Sequence, residues 1–414
     1  MRIRSIAPPA AGGGTDVLAA ADAIGERLVR EAVWYRGQCN WIGVDAAGGD
    51  GVWAHRALGP SLGDGTAGIA LFLAQLHAAT GAEAAGQTAR GAIAQAVAHA
   101  DTAAGGGMYA GAPGIAYGAA CCGRLLGDER LVAHARRLAA ARAPRRTAAA
   151  AGLATGTAGA IVALLALARL LGDERLVDRA GWLGNELVAA ARQGPDGWCW
   201  PSAAGRHGLC GMSDGAAGAA SALLELFAAT GDDRHHIAIE RALMYERAWF
   251  DAEHANWPDL RGIERREPRG AFQPPYATTW SHGAPGIALS RLRGWQITGD
   301  ERSRRDTVTA LATTAAAVER ELLAPRPDFT LGHGLAGNAD VLLLGAELLP
   351  EGPALAHRVG DVGVGRYATS LDGWPCGGGR TPALLTGDAG IGLFLLRLRD
   401  LAVPSVLLPG APPP

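Results

Sequence analysis

One short unit recurs seven times along the chain: a residue, Gly, two residues, Gly, then an apolar run. The copies read DGTAGIALFL from Asp64, AGAPGIAYGA from Ala110, TGTAGAIVAL from Thr155 and DGAAGAASAL from Asp214. They continue as HGAPGIALSR from His282, HGLAGNADVL from His333 and TGDAGIGLFL from Thr386. The second glycines stand at 68, 114, 159, 218, 286, 337 and 390, spaced by 45 to 68 residues. A repeat of that length holds two helices and their connections.

Several units also show where their first helix stops. LLGDERLV occurs at 125–132 and 170–177, with related endings ATGDDRHH at 229–236 and ITGDERSR at 297–304. The Gly suits a left-handed helix end, the Asp after it suits an N-cap, and the next acidic residues favour the positive end of the following helix. Each unit reads as helix, tight turn, helix, which stacks into an open solenoid or a closed ring. Outer stretches such as ERLVAHARRLAAAR carry charge, whereas inner ones such as GAIVALLALARLL are nearly all apolar. A helix apolar all round is buried all round, so two concentric layers closing into an α/α toroid of seven hairpins are expected. The glycines then lie where the chain enters each inner helix. The residues just before them are Asp64, Ala110, Thr155, Asp214, His282, His333 and Thr386, and pseudo-symmetry aims them at one central cavity.

Composition removes several function classes. The chain has no lysine, which excludes Schiff-base chemistry and Walker-type phosphate loops. A formal charge of −2 gives no long-range attraction to nucleic acid or an anionic membrane. No segment stays apolar long enough to span a bilayer, and six cysteines in 414 residues make no disulfide framework, so a reducing cytoplasm is expected. Cys121 and Cys122 read as buried small hydrophobes. Residues 1–14 read as a flexible tail, 15–410 as a single domain, and His235-His236 as a surface turn.

WSHGAPGIAL, LGHGLAGN, and TPALLTGDAGIGLFLLRL with its VPSVLLPG tail resemble the lanthionine synthetase C-like cyclases, nearest to the cyclase half of fused class II lanthipeptide synthetases. RALMYERAWFD with NWPDLR, and EAVWYRGQCNWIG, fit the same pattern, and the likeness runs over roughly residues 15 to 410. The resemblance implies an α/α toroid of seven helical hairpins. It also implies addition of a peptide Cys thiol to a dehydroalanine or dehydrobutyrine, with a zinc ion that binds and activates the thiol.

The chain departs from that pattern where the chemistry lies. The family's Trp-Cys-x-Gly is Trp280-Ser281-His282-Gly283, and its Cys-His-Gly is Gly332-His333-Gly334. Of the implied zinc ligands only His333 remains, whereas catalytic zinc needs three protein ligands and an open position, so no metal cofactor is expected. The family's fourth-repeat His-Gly is Asp214-Gly215, and its carboxylate before the third-repeat glycine falls on Gly152.

Three readings follow. In the first, a zinc-independent cyclase acts on a dehydrated precursor peptide supplied by a separate dehydratase or kinase-lyase enzyme. His333 or His282 is then the base and Asp214 orients it or returns the proton, with proximity from the barrel. Ser281, Tyr276, Asp64, Arg261 and Arg265 are candidate substrate contacts; Arg261, Arg265 and Arg266 belong to a long Pro-containing loop at 251–279 that leads into His282. In the second, the domain is a non-catalytic scaffold that binds a peptide or partner enzyme. In the third, Asp64 and Asp214 form a glycosidase-like carboxylate pair, or Asp214, His282 and His333 form a 2-His-1-carboxylate metal set. A relocated zinc site among Cys199, His207, Cys210 and Cys376 has no familiar ligand spacing.

Overall fold

A computed structural model describes residues 16–47, 52–141, 151–202, 208–262, 275–370 and 373–409. The expected tail at 1–14 lies outside the described residues, as do Arg265, Arg266 and His207.

Each first glycine of the repeat caps a helix that starts on the next residue. These helices are α2 (Thr66–Thr80), α4 (Ala112–Leu125), α6 (Thr157–Leu171), α8 (Ala216–Thr230), α10 (Ala284–Thr298), α12 (Leu335–Leu344) and α14 (Asp388–Arg399). The second glycine is the third helical residue, and there the repeat finds its physical reason. A Cβ on Gly68, Gly114, Gly159, Gly218, Gly286, Gly337 or Gly390 would strike the backbone carbonyl of the residue six earlier. Those residues are Leu62, Met108, Leu153, Met212, Trp280, Leu331 and Leu384. The entering loop folds flat onto the helix it starts, and only glycine leaves room.

Six of these helices turn back through a tight corner into an outer partner: α3 (Glu83–Ala98), α5 (Glu129–Ala140), α7 (Arg175–Ala189), α9 (Asp233–Trp249), α11 (Glu301–Glu321) and α13 (Gly352–Tyr367). Gly81, Gly127, Gly172, Gly231 and Gly299 make the corners with positive φ, and Asp128, Asp232 and Asp300 cap the helices that follow. At 173 the cap moves one residue on, to Glu174, while the Asp173 carboxylate still accepts from the Arg175 N–H.

Among the described residues no outer helix follows the last inner helix. Its partner is α1 (Val17–Glu31), from the other end of the chain, and Arg27 of α1 meets the buried Asp388 of α14 at 2.7 Å. Every inner helix packs against the next, and α14 packs against α2, so the ring of seven hairpins is closed. An α/α toroid in two layers is the observed fold, as the repeat and its charge pattern predict.

Three short hairpins decorate the outside, pairing β1 (Val33–Tyr35) with β2 (Gln38–Asn40), β3 (Ile42–Ala47) with β4 (Val52–Ala57) and β5 (Arg192–Gly194) with β6 (Gly197–Cys199). Behind three outer helices a tryptophan reaches back to a carbonyl near the helix end. Trp41 donates to Leu28, Trp200 to Leu187 and Trp257 to Glu246, at 2.8, 2.8 and 3.0 Å.

Three details differ from the sequence reading. The hollow of the toroid is partly filled, because the segment after α14 turns inward: Tyr109 Oη donates to the Val406 carbonyl at 2.5 Å, Trp280 Nε1 to that of Leu407 at 3.1 Å, and Leu407 is fully buried. His235 is not on a surface turn but buried in α9 with neither ring nitrogen hydrogen-bonded, and burial lowers its pKa. The inner helix α10 is not wholly apolar; it carries the buried Arg291 and Arg293.

Arg291 is tolerated because Glu246 of α9 meets it at 2.7 Å, both side chains being fully excluded from solvent. The other carboxylate oxygen of Glu246 accepts the Gly211 and Ala217 N–H groups at 3.0 Å, tying the fourth turn and the start of α8 to the outer layer. Removing Glu246 leaves the buried Arg291 with only the partly exposed Asp306 carboxylate, 3.5 Å away. Glu246→Ala is therefore expected to cost about 3–5 kcal/mol, read as a lower midpoint of denaturant unfolding; an unchanged midpoint would refute this role.

Candidate functional site

The loops that enter the inner helices meet around one mouth of the toroid, and backbone hydrogen bonds stitch them together. Gly63 N–H donates to Tyr109 (first turn to second), Tyr109 N–H to Ala154 (second to third), Ala154 N–H to Ser213 (third to fourth) and Ser213 N–H to Ser281 (fourth to fifth). Gly332 N–H donates to Leu385 (sixth to seventh), and Leu384 and Leu385 N–H to Gly63 (seventh to first). Among the described residues, the fifth and sixth turns alone lack such a stitch. The side chains of Ser281 and His333 face each other there, Oγ to Nε2 at 3.5 Å, and a cavity of ≈ 210 Å³ opens beside them.

The residues ahead of the glycines thus gather at the mouth, in three side-chain pairs rather than one cluster. Thr386 Oγ1 donates to Asp64 at 2.8 Å, on the arc where the ring closes. Thr155 Oγ1 donates to Asp214 Oδ1 at 3.0 Å, and Ser213 Oγ to Oδ2 at 2.8 Å. Ser281 and His333 form the third pair. Asp64 and Asp214 therefore hold different partners in different turns, and neither accepts a hydrogen bond shared with the other. Gly152 lies against Asp214: a Cβ there would strike Asp214 Oδ1. The carboxylate of Asp214 fills the room that a side chain at 152 would need.

His282 and His333 have opposite environments. His333 is exposed. His282 is 6% exposed, and burial, with a smaller push from the Arg261 charge, lowers its pKa to about 4; Asp259 and Asp214 pull the other way, and His333 adds a small further push down. At neutral pH the His282 imidazole is uncharged. Arg261 comes from the loop before the fifth repeat but is clamped by Asp259, its Nη2 2.6 Å from Oδ2, so its charge is largely compensated. Tyr276 lines the cavity, donates to Asp251 at 2.7 Å and stacks on His254 with centroids 4.0 Å apart. Arg265 falls outside the described residues.

Among the described residues no three His, Cys, Asp or Glu side chains are grouped closely enough to hold a metal ion, so Asp214, His282 and His333 do not assemble into a 2-His-1-carboxylate set. Cys199 and Cys210 are buried, and burial raises the Cys210 thiol well above its ordinary pKa.

A profile of the family described as "Lanthionine synthetase C-like protein" matches residues 56–408. The chain belongs to the lanthionine synthetase C-like family. Among solved structures it is similar to nisin cyclase, with 18% identity, a TM-score of 0.61, and coverage of 82% of this chain and 88% of that one. It is also similar to a GH76A alpha-1,6-mannanase variant of Salegentibacter sp. HEL1_6 with bound alpha-1,6-mannotriose, at 11% identity and a TM-score of 0.51, covering 94% of this chain and 100% of that one. At such identities both likenesses concern the fold. No curated protein matches the chain.

The lanthionine synthetase C-like resemblance brings zinc with it, and the donors at the seam can be tested for fit. Ser281 offers a neutral hydroxyl, Gly332 offers no side chain, and His333 offers one imidazole. That set does not fit a catalytic zinc ion, which needs three strong protein donors.

The sequence reading placed Thr155 on the rim but not its bond to Asp214, and it missed Asp259 and Ser213 as partners of the site and Asn338 beside the cavity. Asn338 had a visible signal. It follows the second glycine of its repeat, where the other six units carry Ile69, Ile115, Ala160, Ala219, Ile287 and Ile391.

The depressed pKa of His282 makes a testable pH dependence. A group at about 4 when folded and 6.5 when unfolded contributes stability fully above pH 6.5. That contribution fades as pH falls from 6.5 towards 4, because the unfolded chain takes up the proton first. Its full size is on the order of 3 kcal/mol. Denaturant unfolding at pH 7 and pH 4.5 should show a smaller loss in His282→Gln than in the unsubstituted protein; equal losses would contradict the burial argument.

Proposed function

We propose that this protein forms thioether rings in a ribosomally made peptide without the family's zinc ion, at the seam between the fifth and sixth turns. The observation that carries this reading is the exposed His333 imidazole, standing beside Ser281 at the place on the rim that, among the described residues, has no backbone stitch.

A free thiol is only a few per cent thiolate at neutral pH, so a base and proximity are what the protein must supply. His333 Nε2 takes the Cys S–H proton. The thiolate adds to the β-carbon of a dehydroalanine or dehydrobutyrine, a C–S bond forms, and the C=C electron pair moves toward the α-carbon and its carbonyl. The α-carbon then recovers a proton from the His333 imidazolium, so the base is regenerated and no oxidant or reductant is consumed. Ser281 Oγ orients the ring of His333. His282, uncharged at neutral pH, donates no proton of its own. Asp214, fixed by two hydroxyl donors, supplies a fixed negative charge at the mouth. The dehydroamino acid must come from a reaction that removes water from Ser or Thr, hence from a separate dehydratase or kinase-lyase enzyme. The substrate thiol must stay reduced, which fits a cytoplasmic setting.

A second reading has its own support. The positions where the resemblance implies two thiolates hold a hydroxyl and a hydrogen, as expected of a scaffold that binds a peptide and leaves it unchanged.

Ring closure of a dehydrated, Cys-containing peptide separates them. The purified protein should accelerate closure over buffer, and His333→Ala should lose about 10²–10⁴-fold of that rate. No acceleration by the unsubstituted protein would refute the enzyme and leave the scaffold. The seam also predicts a gain. A Cβ at Gly332 would lie 3.0 Å from the Leu385 carbonyl, tight but within reach of a small shift. Ser281→Cys with Gly332→Cys should therefore bind about one zinc per chain, since two thiolates and an imidazole complete a three-ligand set. Failure of the double variant to retain zinc would contradict the proposed seam geometry.

A further inference from the structure

We propose that the cavity at the seam is a specificity subsite for one basic side chain, lysine or arginine, of the peptide substrate. The inference rests on the reading above only for the peptide that carries this side chain; the recognition itself is argued from the cavity.

The cavity lies between the loop ahead of α10, the outer helix α11 and the sixth turn, with His333 on its wall. At ≈ 210 Å³ it is smaller than the pockets that enclose drug-sized ligands, and it suits a single long side chain. Asn338 lines it and is 3% exposed. The Asn338 amide nitrogen donates to the Thr278 carbonyl at 2.9 Å, but the amide oxygen is buried and has no hydrogen-bond partner among the described residues. Buried acceptors are normally satisfied, and no described residue donates to this one, which leaves it open to a donor brought by a ligand. The fold does not require an amide here, because the other six repeats place an aliphatic residue at the same point.

The other polar groups agree on the sign of that donor. Glu321 and Asp328 line the same cavity. Asp328 Oδ1 accepts the Thr330 N–H at 2.7 Å, and its second oxygen, packed beside Gly377, accepts no hydrogen bond among the described residues. Among the described residues Arg320 is the one fixed cation on the wall, and it is exposed and can swing toward solvent. Among the described residues, two carboxylates and an unpaired amide oxygen against one mobile guanidinium leave the site short of donors. An ammonium or guanidinium supplies several N–H donors on a flexible apolar stem. Seating such a group beside His333 would fix the register of the peptide relative to the base.

The test uses the full chain and small probes, so that it does not depend on ring closure. N-acetyl-lysine methylamide and N-acetyl-arginine methylamide should bind, by titration calorimetry or NMR, about tenfold more tightly than N-acetyl-norleucine methylamide, the difference expected for charge-assisted hydrogen bonds. Asp328→Asn with Glu321→Gln should remove most of that preference, and Asn338→Asp should strengthen it. Circular dichroism melting confirms that the variants remain folded. Equal binding of the norleucine probe, tighter binding of N-acetyl-glutamate methylamide, or a preference that survives the double substitution would overturn the proposal. If the basic probes bind selectively yet no peptide is cyclised, the subsite stands and the cyclase reading falls.

Discussion

The toroid depends on one close contact made seven times: the third residue of each inner helix against the carbonyl six residues before it. Because no Cβ fits in that space, the loop is pressed onto the helix N-terminus in the same way in every unit. The residue ahead of the first glycine is thereby presented at the same height on the rim each time. A rule about space, not about chemistry, makes the seven variable positions equivalent and puts them at one mouth.

Closure adds a second constraint. In an open solenoid the terminal repeats need caps, but here α1 supplies the outer layer for α14, so each end of the toroid covers the other. Among the described residues, backbone bonds then lock the rim except between the fifth and sixth turns. A ring of stitched loops concentrates whatever access remains at the unstitched place. That the exposed His333, the unpaired Asn338 oxygen and the cavity share this place follows from one feature, since polar groups left free of the rim's own bonding need room and partners from elsewhere.

The architecture was legible because it is periodic. Glycine spacing, the Gly-Asp corners and the contrast between apolar and charged helices are repeated statements of the same geometry, and each repeat confirms the others. The site was legible only by position. Asp214, His282 and His333 could be placed on the rim, but their pairing into Thr155–Asp214 and Ser281–His333 depends on which turns are neighbours and on rotamers within them. The Arg261–Asp259 clamp was readable as two residues of PDLR, yet its nearness to His282 arises from a fold in the loop. His235 was misjudged because two adjacent histidines in a polar stretch look exposed, while only the packing of α9 shows which one faces inward.

The departures from the family pattern are coupled physically. A carboxylate at 152 and the present Asp214 side chain cannot occupy the same space, since any Cβ at 152 strikes Asp214 Oδ1. Where the resemblance implies a carboxylate at 152 and an imidazole at 214, this chain has a glycine and the Asp214 carboxylate. At the seam, Ser281 and Gly332 together replace two thiolates by groups that carry no charge. On the proposed reading, a lone imidazole there holds no dication, and its nitrogen exchanges a proton with a thiol. A hydroxyl and a hydrogen beside one imidazole suit a base better than a metal ion, which asks for three protein donors.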